Sequence, residues 1–272
     1  MQLTTQKIVI KRPALDKNKI ITKKFTYIFL FVSINLVQPV FAHEPTKAEW
    51  ITTTTIGLGS TAAALGLMLV KTPECRWCAP NNFDQTISEK LMWDNLRPIR
   101  ISSDILAFGM SPLLALGSLA VGASTFKSFG RDALVIFDSF AVTAMLTELA
   151  KISFRRARPD AFYNIQHDGQ SNRSFWSGHT SLVFSMLTSA SVLALRNNSS
   201  WAPYILTSSA FLGVLVGYTR IAAARHWMSD VMVGMGVGIG VGVLMPFITR
   251  HNSARSPLAK PDAVNFSFAF TW

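Results

Sequence analysis

The chain has 272 residues, 49% of them hydrophobic and only 15% charged, with a formal net charge of +11 and a mean hydropathy of +0.30. So apolar a chain does not have the composition of a cytosolic enzyme; its length suits one large domain or two small ones. The cations gather in residues 7–24 and 151–158 instead of forming an aromatic-interleaved stripe, so they point to a membrane surface or phosphate and not to nucleic acid.

In chain order, Lys7, Lys11, Arg12, Lys17, Lys19, Lys23 and Lys24 precede the apolar stretch "FTYIFLFVSINLVQPVFA", which ends at Ala42. A basic head, an apolar centre and a small terminal residue describe an export signal. The 18 residues from Phe25 to Ala42 are also just long enough for an anchor helix, although Asn35, Gln38 and Pro39 weaken one. Residues 1–42 are therefore either a signal or an N-terminal anchor. Residues 43–250 form the main helical domain and 251–272 a tail. In that tail "AVNFSFAFTW" alternates like a strand, while a tail packed on the domain is the simpler expectation.

Six apolar segments follow residue 50, at about 51–70, 103–125, 133–153, 180–196, 202–219 and 229–249. At about 1.5 Å per residue each is long enough to cross a bilayer core. The expected fold is all-α, a six-helix bundle of membrane type. Asp138 and Glu148 inside the third segment should face other helices, and Gly234, Gly238 and Gly242, four apart in the last, should allow close packing.

Three polar fragments interrupt this pattern. "KISFRRARPD" follows the third segment and holds Lys151 and Arg158. "RSFWSGHTSL" opens the fourth and holds Ser177, Gly178 and His179. "TRIAAARHWMSD" lies between the fifth and sixth and holds Arg220, His226 and Asp230. If the fourth and fifth segments both cross, all three fragments lie on one side. His226 and Asp230, four apart, would share a helix face, letting the carboxylate fix the imidazole tautomer. The small-residue turn before His179 exposes N–H groups to an anion, and lysine and arginines match a phosphate. Arg155 and Arg156 read as surface charges, and Glu148, one turn before Lys151, as its partner or a packing residue.

The order K-x6-R-P, S-G-H, R-x5-H-x3-D resembles the type 2 phosphatidic acid phosphatase (PAP2) family, which shares its core with vanadium haloperoxidases and bacterial class A acid phosphatases. The motifs cover 151–230 and the six-helix layout extends the likeness over roughly 51–249. Trp176 stands where the family usually has proline, and Thr219 where it usually has serine. The resemblance implies a metal-independent phosphatase without cofactors, acting on a lipid phosphate or isoprenoid pyrophosphate. His226 would be the nucleophile that forms a phosphohistidine, and Asp230 would orient it. His179 would be the general acid and then the base. Lys151, Arg158, Ser177, Gly178 and Arg220 would hold the phosphate. A soluble-type periplasmic acid phosphatase and a non-catalytic lipid-headgroup binder are the alternatives.

Cys75 and Cys78, the only cysteines, are a candidate local disulfide, since two ligands cannot close a zinc site. Sidedness has two solutions if the bundle spans, and a third possibility is an exported bundle that does not span at all. With a removed signal and six crossings the site faces the cytoplasm. With a retained anchor, and 51–70 lying on or partly in the membrane, it faces outward. The second leaves Lys127, Arg131, Arg196, Arg250, Arg255 and Lys260 inside and the cysteines in an oxidising space. The expected location is thus the bacterial cell envelope, an inner-membrane protein with its site facing the periplasm.

Overall fold

The computed structural model describes residues 46–122 and 126–249; the expected signal or anchor and the C-terminal tail lie outside the described residues. The first helix, α1 (Lys47–Met68), starts where Thr46 and Glu49 form a reciprocal cap: Thr46 Oγ1 accepts from Glu49 N, and Glu49 Oε2 accepts from Thr46 N. Two shorter helices follow, α2 (Asn82–Leu91) and α3 (Leu96–Ile105). α3 continues through a single π turn, Leu106–Met110, into α4 (Ser111–Gly122). The long α5 (Phe126–Phe154), the short α6 (Pro159–Phe162), and α7 (Gly178–Arg196), α8 (Ala202–Ala222) and α9 (Met228–Ile248) complete the order. The described residues contain no strand, only an isolated bridge between Trp77 and Arg156.

Six of these elements are long and apolar enough to cross a bilayer: α1, the joined α3–α4, α5, α7, α8 and α9. Two begin earlier than hydropathy suggests. The second starts at Leu96, capped by Asn95, and Arg97, Arg100 and Asp104 on its first turns lower the hydropathy there. The third starts at Phe126, its first turns carrying Lys127, Arg131 and Asp132. The segment that the outward-facing solution lays on or partly in the membrane is α1, which is of spanning length and packs along α5.

At the centre is α7, buried along most of its length. Lipid gives packed helices no hydrophobic drive, so close van der Waals fit must hold them. The glycine stripe of α9 supplies it. A Cβ added at Gly234 or Gly242 would lie 2.8 Å from Ser177 O or 2.6 Å from Ser185 O, and Gly238 sits as tightly on Ser181 O. Val183, Leu187 and Ala190 of α7 pack with Val135 and Ile136 of α5 and Val216 of α8 in the core.

Alternating directions bring particular helix ends together. At one end Asn197 donates to Asp132 at 3.0 Å, and Arg196 donates to the Pro246 carbonyl at 2.8 Å. The end of α5, the starts of α3, α7 and α9, and the end of α8 meet at the other. All three motif fragments are there.

Candidate active site

α5 stops at Phe154 because Arg155 takes a left-handed conformation, φ 44°. Lys151 is thereby left in the last turn, facing the start of α7. Gly178 makes room for it: a Cβ there would stand 3.3 Å from Lys151 Nζ. Glu148 is the partner of Lys151, accepting from it at 2.7 Å, and it also accepts from Arg173. Arg158 is the residue before α6, whose first position is Pro159, where a missing N–H costs nothing. Burial is the first cause, and Arg225 the second, that lower the Arg158 guanidinium to about 10. It remains a cation at neutral pH.

The turn into α7 passes a cis peptide between Phe175 and Trp176. Trp176 donates from Nε1 to Thr147 Oγ1 at 2.9 Å and so ties the turn to α5. Ser177 caps α7; its Oγ lies 2.8 Å from Thr180 Oγ1 and also accepts from Thr180 N. The serine hydroxyl expected to bind phosphate is therefore engaged by its own helix. The first-turn N–H groups of Gly178 and His179 have no carbonyl one turn back within α7 and are directed to the anion-binding end.

His179 Nε2 lies 2.7 Å from Asp104 Oδ1 on α3, with the Phe108 ring packed edge-on against the imidazole. Arg220 donates to Ser103 Oγ at 3.1 Å and lies 3.5 Å from Asp104. Both Arg158 and Arg220 are buried with Nε unpartnered. The charges of Arg220, Lys151 and Arg158 act on both imidazoles. The structure thus gathers Lys151, Arg158, Gly178, His179, Arg220 and His226 around one point.

His226 departs from the expected arrangement. It precedes α9 and is not on it, since α9 is capped by Trp227. Its Nδ1 is 2.7 Å from the Ser174 carbonyl and 3.9 Å from Asp230 Oδ2. The backbone carbonyl, not the carboxylate, receives the Nδ1 proton and leaves Nε2 with its lone pair. Asp230 stands one step behind, accepting from Ser174 Oγ at 2.6 Å and from Trp227 N at 3.0 Å. Burial, followed by the charges of Arg220, Arg158 and Lys151, pushes the His226 imidazole well below its ordinary value. It is a neutral ring.

Arg156 overturns its reading as a surface charge. It is 1% exposed and donates to Asp230 Oδ1 at 2.5 Å, Ser229 Oγ at 2.8 Å and Asp84 Oδ2 at 2.6 Å. Arg155 is half-buried, and its carbonyl accepts from Arg76 N. Asp84, Asp104, Arg156, Arg173 and Ser174 all escaped the motif pattern. The available signal was the density of "FRRARP", too many cations for a loop whose neighbours offer one acid.

Cys75 and Cys78 are disulfide-bonded, with Cα atoms 5.5 Å apart. Their loop lies on the same end as the site: Ala157 N donates to Trp77 O at 3.0 Å, and the Trp77 ring covers Arg156 at 3.8 Å. Among the described residues no group of three His, Cys, Asp or Glu side chains is arranged to hold a metal ion.

Residues 132–253 match the PAP2 superfamily. The chain is 32% identical over 110 residues to a lipid A 1-phosphatase of Porphyromonas gingivalis, a match covering 40% of this chain and 22% of that protein. The chain thus spans about a fifth of that relative's length. Among solved structures it resembles a transmembrane PAP2 type phosphatidylglycerolphosphate phosphatase from Bacillus subtilis, at 17% identity and a TM-score of 0.44, over 74% of this chain and 94% of that one.

Proposed function

We propose that the chain, whose residues 132–253 match the PAP2 superfamily, hydrolyses a phosphate or pyrophosphate ester of a membrane lipid through a phosphohistidine. One observation carries this reading. Three cations, Lys151, Arg158 and Arg220, converge on a buried neutral imidazole, and both arginines keep an unpartnered Nε. Buried, undersupplied donors call for an anion.

His226 Nε2 attacks phosphorus while the bond to the leaving oxygen breaks. That oxygen takes the proton of His179, whose imidazolium is supported by Asp104. The phosphoryl group is left on Nε2. His179, now neutral, removes a proton from water as the water oxygen attacks phosphorus; the P–N bond breaks and inorganic phosphate leaves. Lys151, Arg158, Arg220 and the amides at the start of α7 stabilise the equatorial oxygens through both steps. The groups that perform these steps are side chains and amides, so turnover is proposed to need no metal.

A lipid substrate is supported by the six span-length helices, whose ends hold the site. The reading adopted for sidedness is a periplasmic site in the inner membrane. Its support is the Cys75–Cys78 disulfide, which lies on the catalytic end and belongs to an oxidising compartment. The test is phosphate release by purified protein in detergent from phosphatidate, phosphatidylglycerol phosphate, undecaprenyl pyrophosphate, lipid A and a soluble ester. At least one lipid is expected to be cleaved, in EDTA, with inhibition by vanadate. Chelation that stops turnover, with rescue by a divalent metal, would refute the mechanism.

A further inference from the structure

The motif logic assigns no task to α2, yet this short helix sends a carboxylate into the deepest part of the catalytic end. Asp84 is fully buried. Its Oδ1 accepts from Ser229 N at 2.8 Å, so it caps α9 from another element. Its Oδ2 accepts from Ser229 Oγ at 2.7 Å and from Arg156 Nη2 at 2.6 Å. From the other side of the guanidinium, Nη1 reaches Asp230. Asp230 holds Ser174 Oγ, and the Ser174 carbonyl receives His226 Nδ1. The Arg156 carbonyl closes the frame by accepting from Ser174 N at 3.0 Å.

We propose that Arg156, held between Asp84 and Asp230, is the positioning residue of the nucleophile, and that α2 thereby belongs to the catalytic apparatus. The inference rests on the proposed role of His226. Arg156 fixes Ser174 twice, through its own carbonyl and through Asp230. The hydrogen bond that selects the His226 tautomer is donated by Nδ1 to the carbonyl of that serine. Two carboxylates on one arginine also keep Asp230 neutralised from its far side, so that its charge is directed away from the ring. The Trp77 face, 3.8 Å from the guanidinium, shields it from water. An arginine is suited to this place because its fork serves several acceptors at once, which an ammonium cannot do in the same geometry.

Around His226 the charged and titratable groups are Lys151 from α5, Arg158 before α6, His179 from α7, Arg220 from α8 and Asp230 from α9. Removing the arginine leaves the cations around the ring in place and takes the counter-charge from Asp230 and, farther back, from Asp84. The ring should then gain proton affinity, because a carboxylate relieved of its counter-charge favours imidazolium.

The experiment uses full-length protein in detergent, labelled with 15N-histidine. The chain has five histidines, and His226→Gln identifies the resonance of interest. Wild type should show a neutral ring with the proton on Nδ1. Arg156→Gln should lose that single tautomer and move the acid limb of kcat/KM to higher pH. Its kcat should fall roughly 10–100-fold, the scale of groups that orient a functional ligand from behind, with KM nearly unchanged. Asp84→Asn should loosen the same tautomer by less, through the weaker hold on Arg156, and should move the acid limb slightly the other way, to lower pH, because it removes a negative charge and leaves Arg156 to Asp230 alone. If Arg156→Gln does not fold, Arg156→Lys and Asp84→Asn carry the test. Unchanged His226 resonances and an unchanged acid limb in the folded variants would overturn the proposal, even if turnover fell. A wild-type protein that cleaves no substrate, while its His226 signals still respond to Arg156, would refute the phosphatase reading and sustain the positioning role.

Discussion

Alanine at Gly234 tests both the packing and its link to the site. The added Cβ would meet Ser177 O at 2.8 Å, and an ordinary contact begins near 3.4 Å, so α9 and the N-cap of α7 must part by about 0.6 Å. Neither partner can yield as a flexible side chain would, because the obstructing atom is backbone. Overpacking of this kind costs roughly 1–3 kcal/mol, against which the better helix propensity of alanine returns about 1 kcal/mol. Ser177 immediately precedes the amides and the imidazole proposed to act on substrate. A displacement of this size should therefore lower kcat by roughly 10-fold, given that about 1 Å can cost 10²-fold. Gly242→Ala meets Ser185 O at 2.6 Å, two turns deeper. It should destabilise at least as much and affect turnover less. Gly240→Ala meets nothing within 4 Å and is the control, neutral or slightly stabilising. Thermal unfolding followed by tryptophan fluorescence, with phosphate release measured on the same samples, separates the two effects. A Gly234→Ala protein with the unfolding temperature and rate of wild type would show that α7 and α9 are not packed as described.

The two histidines should fail differently. His226→Ala should lose turnover and any acid-labile phosphoenzyme, whereas His179→Ala should lose roughly 10²–10⁴-fold and recover with a good aryl leaving group; equal rescue of both would reverse the assignment. His226 is held well below its unfolded value near 6.5, so above about pH 6.5 both states carry a neutral ring and its contribution is complete. As pH falls further the unfolded chain takes up a proton that the folded one refuses, and stability drops; His226→Gln should flatten this part of an unfolding-temperature profile, and an unaltered slope would contradict the burial argument. For sidedness, single cysteines at Lys90 and Ser200 in a Cys75→Ser, Cys78→Ser background should differ in intact spheroplasts. Lys90 should label with an impermeant thiol reagent and Ser200 only after lysis, and the reverse pattern would put the site in the cytoplasm.

Much of this arrangement was legible because it depends on period and punctuation. Apolar runs of spanning length gave the six helices, and glycines four apart gave the α9 face that meets α7. What hydropathy missed were helices whose first turns are polar for a reason. Arg97, Arg100 and Asp104 lower the mean of α3, yet Arg100 is bound to Asp160 at 2.9 Å and Asp104 to His179. Those charges are absorbed by partners far away in sequence, which no window can see. Asp84 on the buried face of α2 is polar for the same cause, bound by Arg156 and Ser229.

The misplacement of Asp230 has a sharper lesson. Spacing of four puts two residues on one face only if the helix already runs through both. Here Trp227 is extended, φ −74° and ψ 159°, and α9 begins at Met228. The chain therefore turns between the imidazole and the carboxylate. Asp230 occupies the third helical position, where a carboxylate naturally accepts the N–H of the capping residue, and it does so at 3.0 Å. That leaves the ring proton for a carbonyl in another loop. A carbonyl is neutral, so it fixes the tautomer without supplying a charge that would draw a second proton onto the ring. With Asp230 held 3.9 Å away and bound by Arg156, the imidazole is oriented firmly and kept unprotonated. A ring surrounded by three cations and proposed to attack an anion has need of both.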